Sequence, residues 1–102
     1  MVELIAMGKS KEVIGYEISL SARDDGTVEA AYIRLRRGKS DRTQEIIEDA
    51  LLADYDEQGT LLGIEVLAPV KLAELVKLVD QPRRTSFRRF IRKAAPSELV
   101  QT

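Results

Sequence analysis

The chain has 102 residues, 44% of them hydrophobic and 32% charged, and contains neither cysteine nor histidine. That length and balance suit one folded domain with a single core. The missing residue types exclude disulfides, thiol nucleophiles, histidine bases and the usual zinc ligand sets. The net charge of −1 conceals a division: residues 1–80 carry 10 Lys/Arg against 16 Asp/Glu, a balance of −6, and residues 81–102 carry 6 against 1, a balance of +5. The chain therefore reads as an acidic body with a basic tail. No apolar run approaches the length of a membrane span. Met1 to Met7 includes Glu3 and lacks the basic start and longer apolar stretch of a signal peptide, so a cytoplasmic location is the expectation.

Met1 to Lys11 has no convincing period and is expected to be a flexible lead. A single α+β domain is expected over residues 12–95, with its sheet in 12–68, helices at about 69–80 and 83–95, and a tail over 96–102. From Val13 the pattern sharpens, because Ile14, Tyr16, Ile18, Leu20 and Ala22 alternate with Gly15, Glu17, Ser19, Ser21 and Arg23 as in a half-buried strand. Asp25-Gly26 supplies a tight turn, where glycine accepts positive φ at least cost. That turn sets the register: Leu20 meets Ala31, Ile18 meets Ile33 and Tyr16 meets Leu35 on one face, while Glu17 meets Arg34 on the other.

Arg36 to Asp41 is a polar connector; with one glycine and no helix start behind it, a solvated loop is favoured over a phosphate cradle. Thr43 to Tyr55 is expected to form one long or bulged strand, folded back at Gln58-Gly59 so that Tyr55 meets Leu62, Ala53 meets Ile64 and Leu51 meets Val66. The expected fold is thus a four-stranded antiparallel sheet of two hairpins followed by two C-terminal helices.

The second turn admits a rival reading. Asp54, Asp56, Gly59 and Glu65 fit the spacing of a calcium loop, making Asp54, Asp56 and Glu65 the alternative metal ligands. Gln58 departs from that template, and Gly63 and Pro69 leave no room for the helix that must follow Glu65, so the hairpin is preferred. Asp54, Asp56, Glu57 and Glu65 are also the one dense carboxylate group that could divide acid and base roles. With no histidine, cysteine or glycine-rich nucleotide loop to assist them, no catalytic residue and no cofactor site are assigned, and an enzyme is not expected.

The run DYDEQGTLLGIEVL, together with AAYIRL at Ala30 to Leu35 and Thr43 between them, resembles a small bacterial family catalogued as domain of unknown function 2283. The likeness covers about Val28 to Ala68, and its most specific element is Gly63-Ile64-Glu65; Glu29 stands where many members carry Asp. The resemblance implies a compact β-rich domain and supports the hairpin. It implies no chemistry, since the family has no established function.

Pro69 suits the first turn of a helix, with Leu72, Leu75, Val76 and Val79 along one face to cover the sheet. After Asp80-Gln81-Pro82, Thr85 or Ser86 can cap a second helix that Pro96 stops. Its stripe of Phe87, Phe90, Ile91 and Ala94 opposes Arg88, Arg89, Arg92 and Lys93. That stripe can lie on the chain's own sheet, in a partner's groove, or at nucleic acid or an anionic membrane surface. The expectation is a small non-enzymatic protein-interaction or regulatory module whose partner-binding residues are Arg84, Phe87, Arg88, Arg89, Phe90, Arg92 and Lys93. Self-association is a further reading, through the mixed patch of Val28, Ala30, Tyr32 and Leu52 on the outer face of the sheet. Nucleic-acid binding is the alternative; against it stand the acidic body, a pI near 5.5, and Tyr32 as the sole aromatic placed on the sheet face.

Overall fold

The computed structural model describes residues 15–102, so the flexible lead expected at residues 1–11 lies outside the described residues. Seven strands and two α-helices follow in the order β1 (Glu17–Ala22), β2 (Val28–Arg34), β3 (Arg42–Ile47), β4 (Leu51–Tyr55), β5 (Leu61–Val66), β6 (Val70–Lys71), α1 (Leu72–Val76), α2 (Arg84–Ala94) and β7 (Val100–Gln101). The first five form one antiparallel sheet in the order β1-β2-β5-β4-β3, and β6 and β7 pair in parallel.

The first hairpin has the expected register, with Glu17 opposite Arg34, Ile18 opposite Ile33 and Leu20 opposite Ala31. Alternation alone specifies it, because a slip of one residue would turn Ile33 and Ala31 out to water. Both hairpin turns close the same way. Gly26 N–H donates to Arg23 O and Arg23 N–H to Thr27 O; Gly59 N–H donates to Asp56 O and Asp56 N–H to Thr60 O. The two glycines sit at φ 90° and 83°, the left-handed region that a side chain would strain. Each turn is pinned by an aspartate that accepts from a backbone N–H two residues on: Asp25 from Thr27, Asp56 from Gln58.

The expected four strands are corrected to five. Thr43 to Tyr55 is not one strand, because Glu48, Asp49 and Ala50 turn the chain back and let β3 pair with β4. Asp49 adopts φ 59°, which aspartate tolerates better than most residues, and the Glu45 carboxylate accepts from its N–H at 3.0 Å. In the second hairpin Leu51 meets Val66 and Ala53 meets Ile64 as expected, but an irregularity after Asp54 sets Tyr55 opposite Leu61 in place of Leu62.

One face of the sheet is covered. Ile33, Leu51, Ile64 and Val66 form a core with Leu75 and Val76 of α1 and Phe87 and Ile91 of α2. α1 is shorter than the expected helix and starts at Leu72, because Val70 and Lys71 pair with residues 100 and 101 first. α2 follows a 3-10 turn over Gln81–Arg83; neither Thr85 nor Ser86 caps it, since Arg83 holds the N-cap position without a side-chain bond. It ends before Pro96, as expected. Residues 96–102, read from the sequence as a tail, bring Leu99 and Val100 into the core. At the β1 margin the core thins: Ile18, expected to be buried, is half-buried, and Leu20 is 50% exposed.

Candidate functional site

Strand pairing lays two rows of side chains across the uncovered face. Glu17, Arg34, Gly63, Asp54 and Thr43 run from β1 to β3 in one row, and Ser19, Tyr32, Glu65, Leu52 and Glu45 in the next. Tyr32 leaves its own row. Its hydroxyl donates to Asp54 Oδ2 at 2.9 Å, reaching from β2 across β5 to β4. Thr43 Oγ1 donates to Asp54 Oδ1 at 2.5 Å, so hydroxyl donors from both sides occupy both carboxylate oxygens.

Gly63 makes the reach possible, since a methyl group there would overlap the Tyr32 hydroxyl and ring. A glycine inside a strand often marks this kind of close approach. Burial, and then the bond to Asp54, push the pKa of the Tyr32 hydroxyl up to about 12. It therefore keeps its proton at neutral pH and stays a hydrogen-bond donor to Asp54. The arrangement ties four strands together in one register. Tyr32, Thr43, Asp54 and Gly63 all belong to the stretches that carry the family resemblance, and they meet here as a staple across the sheet.

Asp54 and Asp56 of the calcium alternative are engaged in other bonds. Asp54 to Glu65 is a hairpin, Asp54 is taken up by Tyr32 and Thr43, and Asp56 Oδ1 accepts from the Gln58 and Thr60 N–H groups, both at 2.9 Å. Glu65 stands on the strand opposite Tyr32 and Leu52. Among the described residues no group of three or more acidic, cysteine or histidine side chains could hold a metal ion together.

The expected partner-binding residues separate into two sets. Phe87 is 0% exposed and meets Tyr16 edge-on with ring centres 5.6 Å apart, and Phe90 packs against the core beside it, tilted to Tyr16 with ring centres 5.4 Å apart. Phe87 serves the chain's own core as a cover over Ile33 and Ile64, and Phe90 is half-buried against that core. Arg84 is also structural. Its guanidinium donates to Val79 O at 2.7 Å and to Lys77 O at 3.2 Å, satisfying carbonyls just past the end of α1.

The second set faces outward. Arg89, Arg92 and Lys93 are exposed and Arg88 is half-buried, and none of the four makes an ion pair among the described residues. Arg88 and Arg92, one helical turn apart, border a shallow depression with Lys71 and Gln101. The mixed patch is divided: Val28 packs against the core, and the Tyr32 hydroxyl is bound to Asp54.

The fold and these sites define a two-layer α+β domain with a stapled open face and a cationic helix on its covered side. Residues 25–68 match the family model described as Protein of unknown function (DUF2283), a span that takes in β2 through β5 and ends before α1. No curated protein and no solved structure matches the chain. No helix among the described residues is long and apolar enough to cross a membrane.

Proposed function

We propose that this protein is a non-enzymatic interaction module that engages an acidic protein surface through the outward face of α2. A small regulatory role in a bacterial cytoplasm is the setting we infer from the family resemblance. One observation carries the reading: Phe87 and Ile91 lock α2 onto the chain's own sheet while Arg88, Arg89, Arg92 and Lys93 make no ion pair among the described residues. Like charges spaced four apart on a helix cost a few tenths of a kcal/mol per pair. An acidic partner would relieve that repulsion, and the arginine forks suit carboxylates in pairs. Charge of this kind governs association rate and orientation more than raw affinity.

The test is a pull-down from the native host with the intact chain and with Arg88, Arg89, Arg92 and Lys93 all changed to Gln. The proposal expects acidic proteins that the intact chain retains and the variant loses at equal stability. Equal retention by both would contradict it. Mobility-shift assays with DNA and RNA at low salt distinguish the nucleic-acid alternative, which requires binding that the same four substitutions remove.

A further inference from the structure

The two edges of the main sheet differ. β3 carries Arg42 and Glu45, an irregularity after Glu45, and an acidic turn at Glu48 and Asp49, all features that discourage pairing with another strand. β1 also carries a charge, Glu17, and an irregularity in its pairing with β2 between Ser21 and Ala22, but its middle, Ile18 to Ser21, bears no charge. Its sequence, Glu-Ile-Ser-Leu-Ser-Ala, contains no lysine or proline, and among the described residues no strand pairs with its outer edge. Leu20, 50% exposed, lies on the covered side of the sheet where the helices no longer reach.

The direction of the free backbone groups follows from the hydrogen bonds. Arg23 N–H donates across the hairpin to Thr27 O, so Arg23, Ser21, Ser19 and Glu17 turn their backbone groups toward β2. The other side of β2 agrees: Leu35 N–H donates to Leu62 O, so Ile33 and Ala31 face β5 while Tyr32 and Ala30 face β1. Ile18, Leu20 and Ala22 therefore present their N–H and C=O groups at the open edge. An antiparallel pair about a two-fold axis must set these residues against one another. In the register centred on Leu20, Leu20 meets Leu20 of the partner subunit and Ile18 meets Ala22 of the partner subunit. On the opposite face Ser19 meets Ser21 of the partner subunit, and Glu17 meets Arg23 of the partner subunit at both ends. Apolar surface and hydrogen-bonding direction are satisfied by one self-pairing, and Glu17 and Arg23, which pair within the chain with Arg34 and Glu29, meet opposite charge across the seam as well.

We infer that a second copy of this chain adds antiparallel to the outer edge of β1, centred on Leu20, to build one continuous ten-stranded sheet. This contact lies apart from the outward face of α2 and stands or falls separately from the proposed function.

Sedimentation of the full chain tests it. The intact protein should sediment as a dimer at tens of micromolar, and Leu20→Lys should be monomeric with an unchanged circular dichroism spectrum and melting temperature. Glu17→Arg or Arg23→Glu alone should weaken association about tenfold, as each sets like charges together twice per dimer, and the two changes combined should restore it. Leu20→Cys, the one thiol in a chain without cysteine, should oxidise to a covalent dimer. A monomer at every concentration overturns the inference. So does a dimer indifferent to Leu20→Lys, or a double charge swap no better than the single changes.

Discussion

Beneath the helices, Ile33, Leu51, Ile64 and Val66 are sealed from water by Leu75, Phe87 and Ile91, whereas on the opposite face Tyr32, Thr43 and Asp54 meet in hydrogen bonds beside solvent. The covered face is held by dispersion and by apolar area removed from water, which is large but has little direction. The open face is held by a few directional bonds, each worth less and each dependent on a neighbour standing in one place. The covered face therefore supplies most of the stability. The open face supplies register. It also gives residues that carry the family resemblance a structural role: a tyrosine, a threonine, an aspartate and the glycine that makes room for them hold the sheet in register.

The contrast can be broken from the strong side first. Phe87→Ala should cost about 3–5 kcal/mol and Ile64→Ala about 2–5 kcal/mol, read by denaturant unfolding, because each removes a large buried side chain and leaves a cavity. Ile18→Ala should cost markedly less than Ile64→Ala, since β1 lies at the margin of the core. Equal costs would put Ile18 in the core.

On the open face the effects are smaller and have a different character. Tyr32→Phe should cost about 0.5–1.5 kcal/mol at neutral pH by deleting one hydrogen bond. It should also remove a pH dependence. The hydroxyl ionises near pH 10 in an unfolded chain and near 12 in the fold, so its contribution is complete below about pH 10 and is lost as pH rises toward 12. Unfolding curves collected over that window should show the intact protein losing stability that the Tyr32→Phe variant has already lost. Smallest of all, changing Arg88, Arg89, Arg92 and Lys93 to Gln should alter stability by no more than about 0.5 kcal/mol, since three of the four are exposed and none makes an ion pair among the described residues. A large loss would assign these cations to the fold and leave the proposed partner surface without support.

Much of the covered face was legible, and the reasons are local. Alternation and a glycine turn were enough to place Ile18 against Ile33 and Ala53 against Ile64. What escaped was non-local or masked by composition. The β3–β4 turn has no glycine, and Asp49 enters the left-handed region where a strand was expected to continue. The pairing of β2 with β5, which brings the two hairpins into one sheet, joins segments distant in sequence with no turn to announce it. Leu99 and Val100 looked like the end of a tail because a two-residue strand has no period to detect. The staple could have been suspected from Gly63, a glycine inside a strand, but naming Tyr32 as its occupant required the sheet order.

Whether Gly63 is there to admit Tyr32 is measured most directly by a double-mutant cycle: unfolding free energies in urea for the intact protein, Gly63→Ala, Tyr32→Ala and the two combined. Gly63→Ala should cost about 1–3 kcal/mol in the intact background, as the added methyl drives the ring off Asp54, and close to nothing once residue 32 is alanine. Costs that simply add would mean that glycine and tyrosine do not act together, and the open face would have no staple.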